Sequence, residues 1–478
     1  MDAILPAIPG FQLFNQQQCE AVHLASLEIL RRTGARVYHA EALNLLRQTD
    51  AVITDTNLVH FPPGLVEWAL AQAPSRVVLC RRGSDQVMVR MEGMQVAFGP
   101  GSDCPNYLDP HTRKPRLFTA QDVIDCIHLV DALPELGFCM SMGIPSDLDA
   151  MSPYRRQAAL MIEHTVKPIV FISGDKADCE AIVAMATCVA GGPEALRLNP
   201  TLLCYSQITT PLKHGQTSTD KLLYMAELGI PIVHMPSPMM GGTAPITLAG
   251  ALALGNAEVL SGLVIHQLKH AGAPFVYGCG VHHMDMRTTI SVYGAPEFDL
   301  ARVAVAEMAR YYHLPHWGYA GPTDSCVLDE QAAADATSSI LVALLSGQHL
   351  AHDIGYLEAG LTTSPEMLVF AAELIARMRH FMGGVAFDSQ AFALDLIHEI
   401  GPGGDFLTTE HTLKNFRSLW QPRLFSRYRR HEWEEKGAAR LGDRLRDKTL
   451  SMMASHQPEP LPGALKAELD YILKSAQA

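Results

Sequence analysis

The sequence predicts an α/β protein built on a (β/α)8 TIM barrel, with an N-terminal α+β extension and a C-terminal helical tail. Short runs rich in β-branched and aromatic residues alternate eight times with amphipathic stretches between residues 136 and 398. This alternation indicates parallel strands, and eight such units in about 250 residues is the size of a closed barrel. The chain is 48% hydrophobic and 18% charged, which favours a large core and excludes disorder.

Eight runs are predicted to be the barrel strands. Each precedes a loop that contains Gly, Pro or Ser, and the last run is the shortest. The runs are residues 137–142, 168–172, 201–206, 231–235, 274–278, 316–319, 349–354 and 385–387.

The stretches between these runs follow the 3.6-residue period of a helix. Residues 329–345 are one example, and another is 365–380, which begins with Ser364 as N-cap and Pro365 at the first helical position. In the first example, one face carries Leu328, Ala332, Ala336, Ile340 and Leu344.

Three regions follow from these patterns: residues 1–130 as a cap or extension, 131–400 as the barrel, and 401–478 as a helical tail packed on the barrel. The extension differs from the barrel because it begins with two predicted helices and continues with short extended pieces. We expect the helices at 16–33 and 40–48, and the extended pieces at 77–81 and 86–91.

Composition excludes several classes of protein. The net charge of −13 argues against nonspecific binding of nucleic acid, whose phosphates need Lys and Arg. Apolar windows such as 244–254 are interrupted before the roughly 20 residues that a membrane span needs, and no signal peptide is evident. The ten cysteines include no CxxC pair, which is typical of reduced thiols, so we expect a cytoplasmic protein that binds neither nucleic acid nor membrane.

The active site of a (β/α)8 barrel lies at the C-terminal ends of its strands. Here these ends carry aromatic and neutral hydrogen-bonding residues, and nearby loops are rich in glycine. The loop at 98–107 is placed outside the barrel proper by the strand assignment above.

The histidines are the obvious metal ligands to consider, yet no HxxxH, HxH or HExxH spacing occurs at a strand end. We therefore expect no bound metal. A metal-dependent barrel hydrolase or lyase stays open as an alternative, with His234, His282, His352 and Asp353 as its candidate ligands.

Six segments stand out: HDIGYLEAGLTTSPE at 352–366, GPGGDFL at 401–407, HTLKNFR at 411–417, residues 420–433, GPTDSCVLDEQ at 321–331 and the loop at 99–116. They resemble the trimethylamine methyltransferase family, in the branch that lacks pyrrolysine and is similar to glycine betaine methyltransferase. The resemblance implies a (β/α)8 barrel that moves a methyl group from a methylated amine to the cobalt of a corrinoid (cobalamin) carried by a separate protein. It places the position that is pyrrolysine in the founding enzymes within 324–329, with Cys326 as the candidate.

The branch without pyrrolysine is associated with quaternary amines such as glycine betaine. A quaternary ammonium is already a cation whose leaving group is a neutral amine, so its transfer needs no general acid. The protein then has to supply a pocket of aromatic faces and carboxylates that binds the cation and orients one methyl group.

The residues expected to form this pocket are strand-end aromatics, acids and hydrogen-bonding groups. His352 and Asp324 are the candidates for a catalytic role. The candidates for substrate binding are Asp103, Tyr107, Phe171, Tyr205, Gln207, His234, Tyr277, Trp317, Tyr319, Asp353 and Tyr356. If the substrate carries a carboxylate, Gln207, His234 or His352 would hold it.

The expected partners are a small quaternary amine and a corrinoid-binding protein, and we expect a homo-oligomer. No covalently bound cofactor is expected, because the methyl acceptor belongs to the partner protein. A non-catalytic betaine-binding protein on the same scaffold is the remaining alternative.

Overall fold

The computed structural model describes residues 4–148 and 153–475. The first part of the chain contains the two expected helices, and its two expected extended pieces pair as an antiparallel hairpin. The elements are β1 (Ile4–Ala7), α1 (Gln16–Arg32), β2 (Ala35–Val37), α2 (Ala40–Leu46), β3 (Val52–Thr54), β4 (Leu58–His60), α3 (Pro63–Gln72), β5 (Val77–Cys80), β6 (Val87–Met91), β7 (Ala97–Phe98), β8 (Asn106–Leu108), β9 (Pro115–Leu117) and α4 (Ala120–Ala132).

Strands and helices then alternate through the centre of the chain. The elements are α5 (Pro153–His164), β10 (Ile169–Phe171), α6 (Lys176–Ala190), α7 (Pro193–Leu198), β11 (Leu202–Ile208), β12 (Lys213–His214), α8 (Gln216–Leu228), β13 (Ile232–Pro236), β14 (Met239–Met240), α9 (Leu248–Lys269), β15 (Phe275–Gly278), β16 (His282–Met284), β17 (Ser291–Val292), α10 (Pro296–Tyr311), β18 (His316–Tyr319), α11 (Glu330–Ser346), β19 (Leu350–His352), β20 (Tyr356–Leu357), β21 (Thr362–Thr363) and α12 (Pro365–Met382). The expected caps are present, because the Ser364 side chain accepts from Met367 N at the start of α12.

The barrel closes as the sequence predicts. Its parallel sheet has the order β10, β11, β13, β15, β18, β19 and β7. Residues 136–139 join the two edges through the parallel bridges Phe98–Leu136 and Cys139–Ile169. The molecule is therefore a (β/α)8 barrel.

The assignment of the eighth strand to 385–387 was wrong. That run, β22 (Val385–Phe387), pairs antiparallel with β1, and the missing wall position is filled by β7. The glycine-rich loop after Phe98 therefore starts at the C-terminal end of a barrel strand, not outside the barrel. Two residues are too few to show a periodic pattern, so β7 could be recognised only from its partners in the sheet.

The hairpin β5–β6 closes the N-terminal end of the barrel. Cys80 N donates to Pro200 O and Arg82 N donates to Val166 O, and both acceptors precede barrel strands. Leu79, Val89 and Met91 pack with residues of the barrel interior. This leaves the C-terminal end as the place for a site.

After α12 the chain continues with β22, α13 (Ser389–Phe392) and α14 (Leu394–Ile400). The C-terminal tail then contains α15 (Glu410–Asn415), α16 (Arg430–Glu435), α17 (Leu441–Ser455) and α18 (Gly463–Ser475). Helix α17 contacts α12 and α4, and α18 contacts α6 and α5. The division of the chain at 130 and 400 remains a proposal, and the barrel sheet includes β7 from before the first boundary.

Helix α9 is long and apolar enough to cross a membrane by length and composition, and it extends well beyond the window noted in the sequence. Most of it is buried inside the fold against α1 and α3. Its buried Glu258 accepts from Leu212 N at 2.7 Å, and burial raises the pKa of Glu258 to about 8. These contacts are those of a helix in the protein core.

Candidate active site

A cavity of about 160 Å³ lies at the C-terminal ends of the barrel strands. Four tyrosines, two carboxyl groups and one histidine dominate its wall. The lining residues are Ser102, Asp103, Met140, Tyr205, Gln207, Ser237, Tyr293, Tyr319, His352, Asp353, Tyr356, Ala359 and Gly360.

Backbone strain and a glycine place the two carboxyl groups. Asp103 and Asp353 both have positive φ, 76° and 78°, a region that side chains other than glycine rarely adopt. A Cβ on Gly101 would fall 2.4 Å from Asp353 Oδ1 and 2.6 Å from Tyr356 Cζ. The loop after β7 can therefore pass directly over Asp353 only because residue 101 is glycine.

The two carboxyl groups differ in exposure. Asp353 is 6% exposed, whereas Asp103 is exposed at the cavity rim. Burial raises the pKa of Asp353 to about 8, with the buried Arg302 opposing the shift and Asp103 adding to it. Asp353 is therefore largely protonated near neutral pH.

The contacts of His352 agree with a proton on Asp353. His352 Nδ1 lies 2.7 Å from Gly318 O, which can only accept, so the ring proton is assigned to Nδ1. Burial lowers the pKa of His352 to about 3, so the ring is neutral and its Nε2 is an acceptor. Nε2 lies 3.3 Å from Asp353 Oδ1, and the protonated carboxyl group is the partner that can donate to it.

Aromatic rings surround this pair. The His352 ring centroid lies 4.2 Å from that of Tyr319 and 6.1 Å from that of Tyr205. The Tyr356 hydroxyl donates to Ser102 O in the overhanging loop, and Gln207 Nε2 donates to the Tyr205 hydroxyl at 3.0 Å. These bonds fix the rings in place before any ligand is bound.

Arg302 of α10 stands behind the wall. Its guanidinium lies 4.3 Å from the centroid of the Tyr319 ring and 3.6 Å from that of Phe298. It donates to the carbonyl oxygens of Val281 and Phe298. Arg302 is therefore held outside the cavity, where it supports the Tyr319 ring.

Asp324 positions the fourth tyrosine. Its two carboxylate oxygens accept from Tyr293 N at 2.8 Å and from Gly294 N at 2.9 Å. These bonds attach the segment between β17 and α10 to the loop after β18. Asp324 thus acts at the cavity through Tyr293 and does not itself line it.

The structure brings together part of the set expected from the sequence. The residues of that set that line the cavity are Asp103, Tyr205, Gln207, Tyr319, His352, Asp353 and Tyr356. Their roles in binding or catalysis remain a proposal.

The other expected residues lie outside the cavity. The Tyr277 hydroxyl donates to Asn256 Oδ1 at 2.7 Å, and Asn256 belongs to α9. His234 contacts Ser206 Oγ at 3.2 Å and stacks on His214, with centroids 5.8 Å apart. Both side chains face the outer helices, so neither lines the cavity.

Phe171, Tyr107 and Trp317 are also not among the residues that line the cavity. Phe171 packs into the layer between the barrel wall and the helices. Tyr107 lies edge-on to Phe118 at 5.5 Å. Trp317 is inside the barrel beneath the cavity, with its ring centroid 4.5 Å from that of His352.

Several lining residues were not anticipated. Tyr293 lies on a long excursion between β15 and α10, and no local pattern links that excursion to the strand ends. Ser237 follows β13 directly, so a systematic scan of residues after each strand would have found it. Met140 lies within the predicted strand at 137–142 and not at its C-terminal end, so a search of strand ends misses it.

The histidines proposed as metal ligands do not converge. His234 faces the outer helices, and His282 Nδ1 is bonded to Gly280 O at 2.8 Å. Within residues 4–148 and 153–475, no three His, Cys, Asp or Glu side chains are close enough to hold an ion. Cys326, the candidate for the pyrrolysine position, is exposed.

The profile of the family described as trimethylamine methyltransferase (MTTB) matches residues 1–478. The chain belongs to this family. It is 30% identical over 474 residues to trimethylamine methyltransferase MttB of Desulfitobacterium hafniense strain DCB-2, covering 98% of this chain and 95% of the relative. The protein is therefore an amine methyltransferase.

Two further similarities complete the comparison. The chain is 28% identical over 471 residues to glycine betaine methyltransferase of Desulfitobacterium hafniense strain Y51, covering 98% and 97% of the two chains. The crystal structure of the Methanosarcina barkeri monomethylamine methyltransferase (MtmB) aligns with a TM-score of 0.48 at 13% identity, over 93% of this chain and 88% of that one.

Proposed function

We propose that this methyltransferase moves a methyl group from a quaternary ammonium compound, with a head group of the glycine betaine type, to the corrinoid of a partner protein. The observation that carries the proposal is the cavity wall, in which four tyrosines and two carboxyl groups surround a space of about 160 Å³. Aromatic faces and carboxylates are the groups that recognise a quaternary ammonium ion.

The chemistry requires little of the protein beyond binding and orientation. When the C–N bond breaks, its electron pair stays with nitrogen, which leaves as a neutral tertiary amine. The corrinoid supplies the electron pair of the new bond from Co(I), and no proton is transferred. The residues of the cavity therefore need to hold the cation so that one methyl group points toward the acceptor.

The side chains divide this task. The faces of Tyr205, Tyr319 and Tyr356 surround the methyl groups, and Asp353 and Asp103 balance the positive charge. His352 is a positioning residue, since its Nδ1–H is bonded to Gly318 O and its Nε2 faces Asp353. Neither His352 nor Asp324 needs to act as an acid in this reaction.

Location and assembly are part of the proposal. The ten cysteines are free thiols, eight of them buried, which suits a reducing compartment such as the cytoplasm. The acceptor is carried by a separate corrinoid protein that approaches the C-terminal end of the barrel. We also propose that the chain forms a homo-oligomer.

A cobalamin methylation assay tests the proposal. Purified protein is mixed with chemically reduced cob(I)alamin and quaternary or tertiary amines, and the visible spectrum is followed. We expect methylcobalamin with a quaternary amine and none with trimethylamine. Binding of a quaternary amine with no methylation, even with a corrinoid protein supplied, would contradict the proposal and favour a binding protein.

A further inference from the structure

Residues 385–419 form an arm that leaves the barrel after α12 and has few contacts with it. The arm contains β22, α13, α14 and α15, and no residue between Met378 and Leu424 is buried in this fully described part of the chain. Apart from the pairing of β22 with β1, the hydrogen bonds of the described arm residues stay within the arm. The rest of the chain therefore does little to hold the arm in place.

The helices of the arm are too short to be stable without a packing surface. Helix α13 has 4 residues, α14 has 7 and α15 has 6. Isolated helices shorter than about 12–15 residues are marginal in water, because their formation has to overcome a costly nucleation step. Three such helices with no buried residue need a second surface against which they can pack.

The arm also exposes an unusually large apolar surface. Nine large apolar side chains are between 41% and 81% exposed: Val385, Phe392, Leu394, Ile397, Phe406, Leu407, Leu413, Phe416 and Leu419. At roughly 100 Å² for each half-exposed side chain, they present on the order of 900 Å². The largest apolar patch of a typical monomer covers about 300–600 Å², whereas each partner of a stable interface buries about 800 Å². The arm therefore has the apolar area of a permanent protein interface.

The position of the arm limits which partner can cover it. Helix α12 follows the strand ends at the cavity and ends at Met382, and Arg379 in its last turn donates to Val96 O, just before β7. Beyond β1, the strand partner of the arm, Phe11 N donates to Leu345 O, which precedes β19. The arm thus begins at the N-terminal end of the barrel. A corrinoid protein has to approach the opposite end, so it is not the partner that covers the arm.

The charges of the arm indicate the chemistry of its partner. Residues 385–419 contain five Asp or Glu and only two Lys or Arg, which argues against nucleic acid or an anionic membrane as the partner. The next stretch of the same chain, residues 420–430, contains four Arg and no acid, and all four Arg are exposed. Each copy of the chain therefore carries both an acidic apolar arm and a basic surface. A two-fold arrangement lets each copy offer both surfaces to the other.

We propose that the arm of residues 385–419 is the contact through which two copies of this chain associate. Each arm packs on the partner copy, which covers the nine apolar side chains, and the arm carboxylates meet the Arg-rich stretch 420–430 of that copy. The contact lies at the N-terminal end of the barrel, so it leaves the cavity open. This inference does not depend on the identity of the methyl donor or acceptor.

The mass of the purified protein in solution is the first test. Size-exclusion chromatography with light scattering should give at least twice the 52.2 kDa of one chain at micromolar concentration. The melting temperature should rise with protein concentration, because association stabilises the folded chain. A mass of one chain at micromolar concentration would overturn the proposal.

A pair of matched variants tests whether the arm forms the contact. Leu407→Asp with Leu413→Asp should raise the dissociation constant at least about 100-fold, because two leucines lose their burial and two charges enter an apolar contact. Leu117→Asp with Leu198→Asp is the control, since both leucines are 60% exposed and lie on β9 and α7. The control should keep the mass of the wild-type protein. An oligomer that is equally stable with the arm variant would contradict the assignment to the arm.

The basic stretch is tested by reversing one charge. Arg429→Glu should weaken association about fivefold, with a larger effect at low salt, because an exposed cation then becomes an anion facing the acidic arm. An unchanged dissociation constant would contradict the pairing of the arm with the Arg-rich stretch.

Hydrogen exchange separates loss of association from loss of folding. In the wild-type protein, the amides of α13, α14 and α15 should be protected, and in the arm variant they should exchange as in an unstructured peptide. The amides of the buried helix α9 should stay protected in both proteins, which shows that the variant is folded. Fast exchange of the arm amides in a wild-type oligomer would overturn the proposal.

Discussion

The inner and outer faces of the barrel wall use similar residues for opposite purposes. On β11, Tyr205 and Gln207 face the cavity, whereas Ser206 between them bonds to His234 on the outer face. Tyr277 on β15, like Tyr205 on β11, lies near the C-terminal end of a barrel strand. Its hydroxyl nevertheless donates to Asn256 of α9. The side of the strand, and not the kind of residue, decides which aromatics can meet a substrate.

The same contrast applies to acids. Among the described residues, no Lys or Arg lines the wall around the buried Asp353, whereas Asp220 on α8 lies 2.8 Å from His39 Nε2. A carboxyl group that is paired within the fold contributes to stability. One that is left without a cation at a cavity wall is available to bind a cationic ligand.

The largest expected effect on ligand affinity comes from neutralising Asp353, the buried carboxyl group at the cavity wall. Asp353→Asn should weaken choline binding about 100-fold, because a hydrogen bond or contact to a buried charge contributes about 1.5–3 kcal/mol. Asp220→Asn, the same change on the outer layer, should leave choline affinity unchanged. Calorimetry measures the choline affinity of both variants. An equal loss of affinity in the two variants would contradict a binding role for the carboxyl group on the inner face.

Lowering the pH should have a similar effect by protonating the same group. Burial raises the pKa of Asp353 to about 8, so binding of a cation must expel its proton. Choline affinity should fall by up to about tenfold for each pH unit below 8, and calorimetry in two buffers should detect proton release. The groups that face Asp353 and could share this titration are Asp103, Cys104, His352, Tyr356 and Arg302.

The Asp353→Asn variant is the control, since its choline affinity should not change with pH over this range. Protonation of Asp353 also makes the free energy of unfolding depend on pH. The folded protein keeps a proton that an unfolded aspartate loses at its ordinary pKa of 3.8. The contribution of Asp353 to stability therefore declines as pH rises from about 4 to about 8.

Substitutions of Tyr205 and Tyr277 compare the inner and outer faces of the barrel wall directly. Tyr205→Leu should weaken choline binding about 2- to 30-fold, because a cation–π contact contributes about 0.5–2 kcal/mol. Tyr277→Phe should lower the free energy of unfolding by about 1 kcal/mol through loss of the bond to Asn256, with no change in affinity. Ligand binding and thermal unfolding of each variant distinguish the two results, and a Tyr277 variant that binds choline weakly would break the comparison.

The smallest effect is expected in the loop after β18, where two acids have separate roles. Asp324→Asn should weaken choline binding only a few-fold, because Tyr293 loses part of its anchor. Asp329→Ala removes the N-cap that accepts from Ala332 N at 3.0 Å, so it should destabilise the fold by about 1 kcal/mol without weakening binding. The change in affinity relative to the change in melting temperature separates the two roles.

Part of the site could be predicted from the sequence and part could not. Asp353, His352 and Tyr205 were found because they close strands whose hydrophobic runs are clear. Phe171, Tyr277 and His234 also close such strands, but a strand that is buried on both faces shows no polar alternation that would reveal its inner side. Tyr293 was missed because a long excursion brings it to the site.

The sequence by itself determined the alternation of strands and helices, the family, and the residues that end each strand, because these depend on local patterns and short motifs. Only the tertiary structure decided that β7 closes the barrel, which strand-end side chains face inward, and that Gly101 lets a loop pass over Asp353. These features arise from contacts between segments far apart in the chain, and no local pattern records the register in which such segments meet.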